Sequence, residues 1–195
     1  RQILFQIKKI HLRKIENIEF GGPCIGDWRD PQNKHFNFSN LLEFVLAKTD
    51  LNIVNLEFYP ADLSDKIIKI LKHKRVNKEI SVPMQSGSNR ILKKMGRRYD
   101  SLYLNNLFRK LFTQIPDLRL TTDIIVGFPT ETMKDIRATL DFLLKFDFFQ
   151  IDVYPYSFFS KNLKPGSKIS GQEFNRLIKM RKYRGLREKI NWTNF

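Results

Sequence analysis

Apolar positions along this chain switch repeatedly between two periods. Ile3, Leu4, Ile7, Ile10 and Leu12 recur near helical spacing and predict a helix over residues 1–14. Residues 17–20 then read as a short strand, stopped by Gly21-Gly22-Pro23. A loop through Asp30, Pro31 and Asn33 follows, with Ser39 placed to cap a helix over 41–46. Residues 52–58 are strand-like, and Ser64 opens a helix with Ile67, Ile68 and Leu71 on one face. Residues 79–84 form the next strand, with helical spacing over 90–95 and again over 103–112. The most apolar strand, 118–126, runs into Gly127-Phe128-Pro129. A helix over 132–146 carries Ile136, Leu140, Leu143 and Leu144, then comes a strand over 149–154. Residues 160–170 read as loop and 172–190 as a basic helix.

Strands alternating with helices in this way argue for parallel βα units. Such units suit a doubly wound sheet or an open partial barrel, and are too few for a closed eight-stranded one. In either architecture ligands sit beyond the carboxyl ends of the strands, so informative residues should follow strands.

The 195 residues, 42% hydrophobic, fit one domain with a real core. Thirty-five Lys and Arg against 20 Asp and Glu give a net charge of +15, which points to a polyanion partner. Cys24 is the single cysteine, so no disulfide forms within the chain; a reducing, cytoplasmic setting is compatible with that. No apolar run approaches the roughly 20 residues that span a bilayer, so no membrane association is expected. The opening on Arg1, without an initiator Met, suggests a fragment or a processed chain.

Three segments carry candidate chemistry. Pro83-Met84-Gln85-Ser86-Gly87-Ser88 leaves a strand with a glycine, a carboxamide and two hydroxyls, a set able to hold a ribose or amino-acid group. A turn with Ser88 or Asn89 as helix N-cap explains the same residues. Thr122-Asp123-Ile124-Ile125-Val126-Gly127-Phe128-Pro129-Thr130-Glu131-Thr132 places an acid, Asp123, at the start of a strand and another, Glu131, in the first helical turn, where its charge suits the helix dipole. Gly21-Gly22 allows close backbone approach to a ligand or a simple chain reversal. His11, His35 and His73 lack metal-ligand spacing, and Asp27 and Asp30 around Trp28 read as turn residues. The cations between Lys179 and Lys189 form a solvated helix face or a phosphate-contact surface.

Taken together, SVPMQSGSNRILKKMGRRYD and TTDIIVGFPTETMKD closely resemble the methylthiotransferases of the radical S-adenosylmethionine (SAM) superfamily. The matching positions are Pro83, Gln85 to Ser88, Leu92, Lys93, Met95, Arg97, Tyr99 and 122–132, with Thr130 in the family's usual Gly place; Tyr156-Ser157 keeps family order. The resemblance covers about residues 15–190. It implies an α/β fold of parallel βα units forming an open, partial TIM-type barrel, the radical SAM core, missing its first strand. It implies SAM as cofactor, held by Gly21, Gly22, Gln85, Ser86, Gly87, Ser88, Asp123, Gly127 and Glu131. It implies substrate contacts at Arg97, Arg98, Tyr156 and Ser157, and tRNA as partner. The implied reaction is methylthiolation of a modified adenosine at position 37 of tRNA, with the N6-threonylcarbamoyl branch favoured over the isopentenyl one. Glu57-Phe58-Tyr59-Pro60 is similar instead to a third branch, which acts on a ribosomal-protein Asp.

The departures are as informative. The family's CxxxCxxC segment, whose thiolates hold a [4Fe–4S] cluster, does not occur here, nor do the family's N-terminal domain and C-terminal RNA-binding module. Phe158-Phe159 and Gly166-Ser167 stand where the family usually shows Arg and Gly-Thr. The competing expectation is therefore a fragment or split-gene product that binds RNA or a protein partner without catalysis. The chain alone is expected to bind no metal and to be inactive.

Overall fold

Short β-branched runs bounded by turn residues form strands throughout a computed structural model, which describes residues 5, 7, 15–22, 25–156 and 171–193. The expected helix over 1–14, Pro23, Cys24, His11, Ser157 and the loop over 160–170 lie wholly or largely outside the described residues. The chain divides into two units, Arg1–Ser81 with Leu111–Arg119, and Val82–Lys110 with Leu120–Phe195.

In the first unit β1 (Asn17–Glu19) pairs parallel with β2 (Asn52–Val54), and β3 (Leu56–Glu57) pairs parallel with β4 (Glu79–Ser81). The single strand expected over 52–58 breaks at Asn55, whose φ of 51° cannot continue a strand. Helix α1 (Phe38–Lys48) starts one turn before the expected span: Asn37, not Ser39, is the cap, in a capping box with Asn40. Ser64 does cap α2 (Asp65–Leu71), by accepting the Ile67 N–H. Arg75 ties the C-terminal end of α1 to β2 by donating to the carbonyls of Leu46, Thr49 and Leu51. Asp30 holds a turn by accepting from the backbone of Gln32 and Asn33.

In the second unit β5 (Arg119–Val126), β6 (Gln150–Pro155) and β7 (Ile190–Trp192) lie parallel, with Asp123 opposite Asp152 and Asp152 opposite Asn191. Helices α3 (Asn89–Lys94) and α5 (Met133–Leu143) belong to it. Helix α4 (Ser101–Gln114) begins in it, with the Ser101 N–H bonded to Asn89 Oδ1 at 2.7 Å. Phe108, Phe142 and Phe148 are buried, and Phe108 meets the other two rings and Phe146 edge to face. Several of the chain's 17 phenylalanines are thus core.

The expected basic helix over 172–190 is not one helix. It divides into α6 (Gly171–Ile178), a 3₁₀ segment (Arg181–Leu186) and β7. The break at Met180 lets Tyr183 and Leu186 bury, and Tyr183 Oη donates to Asp141 at 2.8 Å. Pairing with β6 then draws Ile190 to Trp192 into a strand.

Candidate functional site

The strand expected over 79–84 ends as a regular ladder at Ser81, yet the chain keeps following β5. The Val82 N–H donates to Thr121 O, the Gln85 N–H to Asp123 O at 2.8 Å, and the Ile125 N–H to Gln85 O at 2.9 Å. Gln85 therefore rides on the carboxyl-terminal half of β5, bridged to Ile124. It does so with φ at 67°, a left-handed conformation that costs a non-glycine residue about 1 kcal/mol or more. That turn sends Ser86, Gly87 and Ser88 inward, toward α5.

All three are consumed there. Thr139 Oγ1 accepts the Gly87 N–H at 2.9 Å, shares a 3.2 Å hydrogen bond with Ser86 Oγ, and donates to Asp135 O. Ser88 Oγ donates to Asp135 Oδ1 at 2.6 Å. A Cβ on Gly87 would lie 2.7 Å from Thr139 Cα and 2.8 Å from Ala138 O. Glycine is required here for contact with the backbone of α5. Ser88 occupies the N-cap position of α3 without making a side-chain cap bond, because Asp135 holds its hydroxyl. Of the segment, Gln85 alone keeps a half-buried side chain with no hydrogen-bond partner among the described residues.

The second segment ends β5 at Gly127, whose φ is 85°. Glu131 was expected in the first helical turn, but α5 starts after Thr132, which caps it in a box with Asp135. Glu131 precedes that cap and is 4% exposed, with Oε2 accepting the Gly127 N–H at 2.6 Å. Burial pushes its carboxyl up to about 7, and the negative charge of Asp135 adds to the rise, against the hydrogen bonds from the backbone of Gly127 and Phe128. Burial works against the charged form of Asp135 too. There, hydrogen bonds from Arg90, Ser88 and Thr132 outweigh it and hold the carboxyl well below the usual carboxylate range. Thr130, in the family's Gly place, sits at φ 70°. Its hydroxyl accepts from Lys94 at 2.5 Å, and its carbonyl from Arg90 at 2.8 Å.

Gln85, Ser86, Gly127 and Glu131 thus gather at the carboxyl end of β5. Asp123 lies within β5 rather than at its start, on the half-buried face that also carries Thr121 and Ile125. Sequence reasoning missed its neighbours across the sheet. Asp152, opposite Asp123, accepts from Gln150 at 2.9 Å and from Asn191 at 2.8 Å. Alternation of polar and apolar residues in 150–154 was the available signal; strands of parallel sheets are usually apolar on both faces. Arg90, which joins Thr130 to the Asp135 carboxylate that also holds Ser88, was read only as the start of a helix.

Other expected contacts scatter. Gly21 and Gly22 follow β1 in the first unit, exposed, with open space where a Cβ would stand. Arg97 is half-buried and Arg98 exposed. Tyr156 packs edge-on to Phe128, 5.2 Å between centroids, and donates its N–H to Val126 O. His73 is tilted toward its neutral form, first by burial and then by Arg75, Lys74 and Lys78. Among the described residues no group of His, Cys, Asp or Glu could hold a metal ion, and no helix is long and apolar enough to cross a membrane.

In a parallel α/β protein, polar side chains and an acid beyond a strand's carboxyl end stand where ligands of such sheets bind. More particularly, residues 1–143 match the family model of the radical SAM superfamily, and the chain belongs to that family. It is 32% identical over 186 residues to a tRNA-2-methylthio-N(6)-dimethylallyladenosine synthase of Clostridium perfringens, covering 90% of this chain and 41% of that protein. It is 41% identical over 157 residues to the synthase of the same name from Thermotoga petrophila, covering 80% of this chain and 35% of that one. The chain therefore spans less than half the length of these curated relatives. Among solved structures it is similar to the radical SAM methyltransferase TsrM of Kitasatospora setae, with a TM-score of 0.60 at 14% identity, over 78% of this chain and 30% of that one. That likeness is one of fold, and it agrees with the expected radical SAM core of parallel βα units.

The family implies SAM and an iron–sulfur cluster. The donor set fits the first: the Gln85 carboxamide and Asp123 carboxylate suit the hydroxyls and amino group of an aminoacyl nucleoside. It does not fit the second, because Cys24 is the single cysteine of these 195 residues and such a cluster takes several thiolates.

Proposed function

We propose that this chain is the larger part of the SAM-binding core of a tRNA methylthiotransferase. SAM lies at the carboxyl end of β5, with Gln85, Asp123, Gly127 and Glu131 facing it. The tRNA contacts come from Arg97, Arg98, Tyr156, Ser157 and the cations of 171–193. The observation that carries the reading is the placement of Gln85 on β5 in a left-handed conformation, which turns Ser86 to Ser88 into α5 and leaves the carboxamide at the strand end. Sulfur insertion and methyl transfer are chemistry that the cofactors supply; this chain's residues bind and orient. A cytoplasmic setting belongs to the same reading.

The sequence favoured the N6-threonylcarbamoyl branch, and that preference gains no support from the relatives, whose names carry N(6)-dimethylallyladenosine. We therefore favour the isopentenyl branch. Deleting the gene and analysing tRNA nucleosides by mass spectrometry tests this directly. Loss of the 2-methylthio group from isopentenyladenosine is expected, with the unmethylthiolated nucleoside accumulating. Loss from threonylcarbamoyladenosine instead would move the substrate to the other branch, and an unchanged nucleoside profile would overturn methylthiolation altogether.

The single cysteine favours a second reading for the chain by itself: RNA binding without catalysis. Anaerobic reconstitution followed by iron and sulfide analysis is expected to yield no cubane. Near four irons per chain, retained in Cys24→Ala, would show the ligand count to be misjudged.

A further inference from the structure

The break of the expected basic helix creates a cleft between α6 and β7, on the second unit. It measures about 220 Å³ and is lined by Asn175, Ile178, Lys179, Arg187, Ile190 and Trp192. Sites that enclose a whole drug-sized ligand run to roughly 300–1,000 Å³, so this cleft suits one part of a longer molecule.

Its chemistry is specific in three respects. First, its surroundings are strongly basic. Residues 171–193 hold seven cations (Arg176, Lys179, Arg181, Lys182, Arg184, Arg187 and Lys189) and two acids, Glu173 and Glu188. Lys182 and Lys189 are paired with Asp141 and Asp147, whereas Lys179 pairs with no carboxylate among the described residues and is exposed. Second, Arg187 is held in place. Its Nε donates to Ile178 O at 2.8 Å and a terminal nitrogen to Lys179 O. A guanidinium has five N–H donors, so three remain on a side chain already ordered by the helix end. Third, Trp192 is half-buried and its ring is set by Phe174, which meets it edge-on at 5.5 Å and 87°. An ordered aromatic ring sharing one cleft with Ile178, Ile190 and two cations is the pairing that single-stranded nucleic acid uses: base on the ring, phosphate on the cation.

We propose that this cleft takes one unpaired nucleotide of an RNA strand, its base against Trp192 and a flanking phosphate on Lys179 and Arg187. The proposal rests on the tRNA reading above and deepens it by naming where a looped-out nucleotide docks. A stack on Trp192 predicts a preference for unpaired over duplex RNA, because bases within a helix have no free face to offer.

Fluorescence tests it, since Trp28 and Trp192 are the two tryptophans of the chain. In a Trp28→Phe background of the full chain, Trp192 is the sole indole reporter. Titration with a short single-stranded oligoribonucleotide is expected to quench it, with affinity falling steeply as salt rises. Lys179→Glu, at an exposed position, is expected to weaken that binding roughly tenfold and to flatten the salt slope. Quenching by inorganic pyrophosphate as strong as that by RNA would reduce the cleft to an anion site and overturn the nucleotide. Quenching by an acidic peptide but not by RNA would assign it to a protein partner and overturn it equally. If the chain binds tRNA while Trp192 stays unquenched and Lys179→Glu binds as the parent does, the cleft proposal fails and the tRNA reading stands. If no tRNA binding is found by electrophoretic mobility or quenching, the tRNA reading itself fails.

Discussion

Glu131 and Asp135 flank the start of α5 four residues apart, and both are nearly buried, at 4% and 6% exposed. Burial raises a carboxyl's affinity for its proton in both places, yet their charge states part company. Asp135 receives the Ser88 hydroxyl, the Arg90 guanidinium and both the hydroxyl and N–H of Thr132. Glu131 receives chiefly the Gly127 N–H. A buried carboxylate is thus stable in proportion to the donors that reach it, not to its depth. One acid is a fixed structural anion that locks Ser88 against α5. The other can exchange a proton near neutrality, at a strand end where ligands of such sheets bind.

The contrast breaks most visibly with pH. Glu131 has a folded value of about 7 against an ordinary 4.5, so the folded state binds the extra proton between those values. Its stabilising contribution is complete below about 4.5 and is lost as pH rises through 7. Glu131→Gln should remove that dependence. Between pH 4.5 and 8, its stability relative to the parent should rise by about 3 kcal/mol in urea denaturation. A difference that stays flat over this range would mean the carboxyl is ionised throughout. Asp135 acts with the opposite sign, since its stabilisation is present above about 3.8 and fades only in stronger acid.

Asp135→Ala should cost about 2–3 kcal/mol at pH 7, from the lost cap on Thr132 and the stranded Ser88 and Arg90 donors. Thermal or urea unfolding reads it, and a loss below 0.5 kcal/mol would show the network to be redundant. Gly87→Ala sharpens the same point from the other side. Its methyl would press on the backbone of α5, at a cost of about 2 kcal/mol, and should displace Gln85, which SAM titration by calorimetry would register as weakened binding. The smallest effect belongs to Thr130→Gly, which relieves the left-handed strain but gives up the hydroxyl contact with Lys94. A net gain of about 0.5 kcal/mol in chemical denaturation is expected, and a clear loss would show that the contact outweighs the strain.

Much of this architecture was legible beforehand. Strand and helix alternation followed from periodicity because apolar spacing is a local property, and the 118–126 strand ended within a residue of its expected bounds. The segments 83–88 and 122–132 were singled out, and the structure brings both to the carboxyl end of β5. Boundaries failed where a side chain chose a distant partner. Ser88 forgoes capping α3 for Asp135, which is 47 residues away in sequence. The basic helix breaks because burying Tyr183 and pairing β7 with β6 outweigh the helical preference of 172–190.

The sequence by itself determined the parallel α/β class, the basic character, the family likeness and the lack of a cysteine set for a cluster, since each rests on residue type and order along the chain. Only the tertiary structure decided that Gly87 meets the backbone of a helix, that Glu131 and Asp135 differ in charge, and that a cleft opens beside Trp192. Each of those depends on which donors, rings and backbone atoms arrive from remote segments. Hydrogen bonding and desolvation are set by neighbours in space, which spacing along a chain does not encode.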